Sequence, residues 1–170
     1  MQIINSTPAD IETIFTLYDA AIAYQKEHFH LHWLTFSREK VLNEIAQKTH
    51  WKMVVDGVIG CIFSVTYNDA DIWFEKDKDP SLYIHRIAVN PQCRGVGFVP
   101  QIIAWAKQQA VLTGKKYIRM DAFNDNTRLI DYYVRCGFTY IGAIAPLITE
   151  ASPPHYVGIK LGLLEIEVGE

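Results

Sequence analysis

The stretch from Leu82 to Ala122 constrains this chain more than any other. Leu82 to Val89 is an apolar run of strand length, and two glycines follow it at 95 and 97. Ile102, Ile103, Ala106 and Ala110 then recur at helical spacing, and Gly114 is well placed to end that helix. Tyr117 to Ala122 reads as a second strand. Strand, helix, strand in this order leaves no room for a hairpin. It implies a parallel pair joined by a crossover, and so an α/β fold.

The flanking sequence supplies further elements. Residues 2–5 read as a short strand. Thr7-Pro8-Ala9-Asp10 is a helix start, with Thr7 as cap, Pro8 in the first helical position and Asp10 three residues on. Ile11, Ile14, Phe15, Tyr18 and Ile22 continue at helical spacing. Ser37 can cap a second helix carrying Val41, Leu42, Ile45 and Ala46. Residues 51–55 and 58–66 are strands joined by Asp56-Gly57, a two-residue hairpin signal. Asn68 to Pro80 reads as a polar, acidic connection. A helix over 127–136 and strands near 138–145 and 155–163 complete the chain, with 146–154 as the intervening loop. The order β-α-α-β-β-β-α-β-α-β-β predicts a mixed sheet covered by helices. No linker or repeat divides the 170 residues, so one domain over 1–170 is expected.

Composition narrows the function. The net charge of -3 argues against a broad nucleic-acid face, and no nucleic-acid partner is expected. No stretch of eighteen apolar residues occurs, so no membrane partner is expected either. The three cysteines, Cys61, Cys93 and Cys136, include no Cys-x-x-Cys pair, which fits a reducing compartment. Residues 1–10 carry no basic region followed by an apolar one, so no secretory leader is expected, and a cytoplasmic location follows.

The turn after Val89 has the makings of an anion cradle. Consecutive backbone N–H groups at a helix start attract phosphate, and the helix dipole adds to the potential. Gly95 and Gly97 have no side chains to keep a pyrophosphate away, and Arg94 can add a charged hydrogen bond. Pro100 falls in the first helical turn, where its missing donor costs little. No Gly-Lys-Ser/Thr follows, which removes a Walker loop. A Rossmann fingerprint would need its third glycine at Pro100.

The string Gln92-x-x-Gly95-x-Gly97, after a strand ending in Val89, resembles the acetyl-CoA pyrophosphate motif of the GNAT superfamily of N-acetyltransferases. A second match follows in Asn126, Tyr133 and Gly137-Phe138. The resemblance is strong over 82–140 and rests on element order elsewhere. It implies a GNAT-like fold: a mixed central sheet of about six to seven strands flanked by about four helices. It implies acetyl-CoA as cosubstrate, held by the main chain of Arg94, Gly95, Val96, Gly97 and Phe98. The strand Ile87-Ala88-Val89 would pair with the pantetheine arm where it splays from its neighbour at a bulge. Asn126 would contact that arm, although a helix cap alone also explains it. Leu129 departs from the family, which has a small residue there.

The same resemblance implies direct acetyl transfer to a primary amine, with no covalent enzyme intermediate. Tyr133 is the implied general acid for the departing thiolate, with a cofactor contact as well. His85, two residues before Ile87, is a candidate base, with a structural histidine as the equal alternative; Glu75, Asp69, Asp71 or ordered water are the other possible bases. Arg86 faces the other way by strand alternation. A non-catalytic acyl-CoA sensor with this fold is the alternative function. No metal is expected: His28, His30 and His32 lack a nearby Cys or Asp and read as a solvated or substrate-facing aromatic cluster. In this family, segments 24–36 and 146–155 shape the acceptor site. The acceptor, a small-molecule or peptide amine, stays open, as does a homodimer, which the family often forms. The alternating tail from Leu164 to Val168 could be an edge strand or a pairing element.

Overall fold

The computed structural model describes residues 1–169. Seven strands hydrogen-bond in the order β1-β2-β3-β4-β5-β7-β6. They are β1 (Gln2–Asn5), β2 (His50–Val55), β3 (Val58–Thr66), β4 (Ser81–Val89), β5 (Tyr117–Phe123), β6 (Thr139–Ile144) and β7 (Leu161–Glu167). Five α-helices accompany them: α1 (Ile11–His28), α2 (Arg38–Ala46), α3 (Ala70–Trp73), α4 (Phe98–Leu112) and α5 (Thr127–Arg135). The sheet is mixed. The β4–β5 pair is parallel, as the strand–helix–strand order requires, and β1–β2, β2–β3, β5–β7 and β6–β7 are antiparallel.

By its internal contacts the chain forms two compact units. The first comprises residues 1–65 and 85–98. Thr7 and Asp10 close its N-terminal turn: the Asp10 carboxylate accepts from the Thr7 backbone N–H at 2.7 Å and from its hydroxyl at 2.9 Å. A 3-10 turn over Pro8–Asp10 precedes α1. Ile11, Ile14, Leu17 and Tyr18 of α1 pack with Val41 and Ile45 of α2, Ile62 of β3 and Ala88 of β4. The apolar stripe of α2 is narrower than its sequence suggests. Leu42 is exposed, because only the i, i+4 pair Val41 and Ile45 faces the core. Asp56 and Gly57 both take positive φ, 50° and 80°, the geometry of a tight hairpin turn between β2 and β3.

The second unit comprises 66–84 and the chain from Val99 onward. Its connection before β4 is helical rather than a plain loop: α3 runs into a 3-10 turn over Phe74–Lys78. Ile72 and Trp73 of α3 are buried with Tyr83, Leu161 and Leu163. Arg119 of β5, 1% exposed, organises this region. It pairs with Asp79 at 2.8 Å and Glu165 at 2.6 Å, donates to the Lys76 carbonyl at 2.5 Å, and lies under the Trp73 ring. The last strand begins at Leu161, six residues later than expected. Residues before it include Pro153, Pro154 and Gly158, which disfavour a ladder. The tail from Leu164 to Glu167 therefore lies within β7: all four residues pair with β5, and Leu164 and Glu165 pair with β6 as well.

Candidate active site

In the first unit the second half of β4 and its following turn form one continuous surface feature. Arg86 has φ 53° inside β4, a conformation that costs a non-glycine residue and marks a local irregularity in the strand. Its guanidinium is ion-paired with Glu44, donates to Ser64 Oγ at 2.9 Å, and stacks near Tyr18 and Phe36. This side chain ties β4 to α2 and β3. The β4–β5 ladder runs from Ser81/Tyr117 to Tyr83/Arg119, while β4 itself continues to Val89.

Residues 91–93 form a 3-10 turn that Asn90 fixes at both ends. The Asn90 backbone N–H donates to the Gly60 carbonyl at 2.8 Å, and its side-chain amide donates to the Ile59 carbonyl at 3.0 Å. Its side-chain oxygen accepts from the Gln92 N–H at 3.0 Å. Cys93 N–H and Val96 N–H turn inward to Asn90 and Cys93 carbonyls. Gly95 and Gly97 adopt φ 86° and 75°, and a Cβ built on either would meet nothing within 4 Å. The turn is thus left-handed twice and open at both glycines, as an anion cradle requires. Phe98, buried at the start of α4, anchors it beside Gly60. Arg94 lies with its guanidinium 4.6 Å from the Tyr24 ring, against α1.

His85 precedes Arg86. Burial, the Arg86 guanidinium and Lys40 push its pKa down to about 3, so the imidazole is neutral near pH 7. Ile87 and Val89 are half-buried and Ala88 is buried.

In the second unit, Asn126 caps α5: its side-chain oxygen accepts from the Leu129 N–H at 3.1 Å. Ile130 and Tyr133 form the buried face of α5, while Leu129 is half-buried and Val134 exposed. The helix ends in a Schellman turn. Gly137 N–H donates to the Val134 carbonyl at 3.0 Å and Phe138 N–H to the Tyr133 carbonyl at 3.1 Å, with Gly137 at φ 111°. Tyr133 thereby meets Phe138 edge to face and Tyr132 at a tilt.

Sequence reasoning missed Asp121. It lies on β5, where alternation puts Arg119, Asp121 and Phe123 on one face. Burial pushes its pKa up to about 6, partly offset by the Tyr156 hydroxyl, which donates to Oδ2 at 3.2 Å. A lone Asp in an apolar strand, Tyr-Ile-Arg-Met-Asp-Ala-Phe, was the available signal. Tyr156 comes from 35 residues away.

The acceptor segments show distinct arrangements. His28 is stacked on Tyr24 and turns Nδ1 to the Tyr24 carbonyl, and His32 turns Nδ1 to the Trp33 carbonyl. In the acidic connection, Asp77 accepts from Tyr83 Oη at 2.6 Å and Asp79 pairs with Arg119, so both hold the fold. Among the three free thiols, Cys61 is buried and its pKa is raised to about 12 by that burial.

A family model described as the acetyltransferase (GNAT) family matches residues 12–138, more than half of the chain. A Bacillus subtilis (strain 168) protein described as the uncharacterized N-acetyltransferase YesJ is 31% identical over 77 residues. That match covers 45% of this chain and 43% of the relative, so it spans under half the relative's length. A GNAT family acetyltransferase from Listeria monocytogenes 4b F2365 superposes with TM-score 0.76 at 20% identity, covering 98% of this chain and 94% of that one. The structure of yncA from Salmonella typhimurium, with its cofactor acetyl-CoA, superposes with TM-score 0.69 at 16% identity, covering 100% and 95%. At these identities the structural likeness establishes the fold. No helix among the described residues is long and apolar enough to cross a membrane.

Proposed function

Since the chain belongs to the acetyltransferase (GNAT) family, we propose that it transfers an acetyl group from acetyl-CoA to a primary amine by direct attack. The observation that carries this reading is the turn after β4. Two glycines at positive φ, with open space where a Cβ would stand, suit a pyrophosphate. In this reading the main chain of Arg94, Gly95, Val96, Gly97 and Phe98 holds the phosphates. Ile87, Ala88 and Val89 offer strand-like backbone to the pantetheine arm, and Asn126 contacts that arm while still capping α5. Acetyl-CoA, when bound, supplies an acetyl group activated as a thioester.

The chain's own residues then manage protons and charge. An alkylammonium has a pKa of about 10.4 in water and must lose a proton before it attacks. His85 is the proposed base only in its neutral form. Its depressed pKa supports that form and also makes it a weak proton acceptor, so water shares the task. Tyr133 holds a proton on Oη for the thiolate that leaves. A phenol with a pKa of about 10 carries that proton at neutral pH. Backbone N–H at Ile87 is the proposed donor to the developing oxyanion. The cysteines have no step, since direct transfer requires no covalent enzyme intermediate. The family acts on small-molecule or peptide amines, and no metal enters the proposed steps. Three free thiols support a reducing, cytoplasmic setting.

Calorimetric titration with acetyl-CoA, with ATP and NAD in parallel, tests the reading. Selective acetyl-CoA binding, followed by thiol release with one member of an amine panel, is the expected result. A folded sample that binds no acyl-CoA would overturn it.

A further inference from the structure

We infer that Tyr24, near the end of α1, is a positioning residue for the cofactor: its ring holds the Arg94 guanidinium where that cation serves the phosphates of acetyl-CoA. The inference rests on the acetyl-transfer reading and deepens its binding step. Every group in it belongs to the first unit.

Arg94 stands immediately before Gly95 in the phosphate turn, and both are exposed. Its guanidinium carbon lies 4.6 Å from the centre of the Tyr24 ring. Tyr24 is itself 39% exposed, yet other groups fix its ring. His28, one helical turn on, stacks on it at 4.1 Å and 23°. The Nδ1 of His28 meets the Tyr24 carbonyl at 2.8 Å, which orients the stacked imidazole. Phe29 meets the Tyr24 ring edge to face at 6.1 Å and 69°. The ring is therefore a braced platform at the helix end, and the cation of the phosphate turn lies on it.

A ring suits this task better than a carboxylate. An Asp or Glu in its place would hold Arg94 by an ion pair, but would cancel the charge and repel the phosphates. An aromatic face attracts the guanidinium through its quadrupole and carries no net charge. The positive charge thus stays available to an anion, and guanidinium N–H groups can pair with phosphate oxygens.

Holding the side chain in advance also lowers the cost of binding. A long exposed arginine loses rotamer freedom when it takes a phosphate, and one already held by a ring loses less. Arg94 adjoins the two open glycines, Gly95 and Gly97, so the held cation lies beside the proposed phosphate seat. Tyr24 touches no reacting atom in this account and acts through Arg94.

The test is a double-mutant cycle on the whole chain, read by calorimetric titration with acetyl-CoA. Tyr24→Leu should weaken binding by about threefold to fivefold. Arg94→Gln should weaken it by about tenfold. Tyr24→Phe keeps the ring and should bind within about twofold of wild type. In the Arg94→Gln background, Tyr24→Leu should cost nothing further. Tyr24→Gln takes the place of Tyr24→Leu if the latter does not fold. Undiminished binding by Tyr24→Leu would overturn the inference, as would an equal loss in Tyr24→Phe. So would the same Tyr24→Leu loss with and without Arg94, which would make Tyr24 a support of the fold only. Folded wild type that binds no acetyl-CoA would overturn the acetyl-transfer reading and this inference with it, whereas normal wild-type binding with additive variants overturns this inference alone.

Discussion

Tyr133 and Phe138 are joined twice: the Phe138 N–H donates to the Tyr133 carbonyl at 3.1 Å, and their rings meet at 6.2 Å and 71°. The backbone bond belongs to the Schellman turn, and the ring contact is the hydrophobic pairing that accompanies such a turn. The turn that ends α5 therefore also fixes where the Tyr133 ring lies.

This relationship makes Tyr133→Phe a clean experiment. The ring contact with Phe138 and the turn's backbone bonds survive, so the end of α5 should stay in place. Turnover should fall by about 10²-fold or more, the range for a lost general acid, with acetyl-CoA affinity nearly unchanged. Steady-state kinetics beside a calorimetric titration measures both. Unchanged turnover removes Tyr133 from the acid role.

Gly95 separates backbone strain from charge in the phosphate turn. Because a Cβ there meets nothing within 4 Å, Gly95→Ala should cost only the left-handed penalty, about 1 kcal/mol, and keep measurable cofactor binding. Gly95→Glu adds a negative charge beside the proposed pyrophosphate and should abolish binding. Equal acetyl-CoA affinity in the two variants would rule out a phosphate at this turn.

Arg119→Met tests the buried ion network. Removing the guanidinium leaves Glu165 half-buried without it and frees Asp79, which is more exposed and loses less. The expected cost is about 2–3 kcal/mol, read as a drop of roughly 5–10 °C in Tm. A Tm within a degree of wild type would mean the network is not stabilising relative to packed carbon.

Acid should destabilise the fold through His50. This ring bonds Tyr18 Oη at 3.1 Å and Ser6 Oγ at 2.8 Å, and burial first, then Arg86, lowers its pKa from 6.5 to about 4. Between those values the unfolded chain binds a proton that the folded chain refuses. Its contribution is therefore complete above pH 6.5 and is lost as pH falls toward 4, by up to about 3 kcal/mol. His85, lowered to about 3, acts in the same sense. Asp121, raised to about 6, acts oppositely, because the folded chain holds the extra proton between 3.8 and 6. Urea unfolding at pH 4 to 7 should show the net loss, with a shallower slope in His50→Gln. An equal slope in that variant would assign the loss elsewhere.

Much of the fold was legible because it is local. The Asp56-Gly57 hairpin, the Thr7–Asp10 box, the Asn126 cap and the Gly137 terminus are each written in a few consecutive residues whose torsions or hydrogen bonds leave few options. The two glycines of the phosphate turn belong to the same class. The helical nature of 70–78 is not legible locally, because its two turns are short, its apolar residues give no full helical period, and Trp73 packs on Tyr83 and Arg119 from distant elements. The start of β7 is not local either: only pairing with both β5 and β6 selects a strand from Leu161 over the residues just before.

The sequence by itself determined the order of elements, the parallel β4–β5 crossover and the glycine turn, since periodicity and backbone torsion are properties of neighbouring residues. Only the tertiary structure decided that Asp121 meets Tyr156, that Arg119 gathers Asp79 and Glu165, and that β7 lies inside the sheet. Those outcomes depend on desolvation and on partners about 35 to 46 residues apart, and no local pattern encodes either.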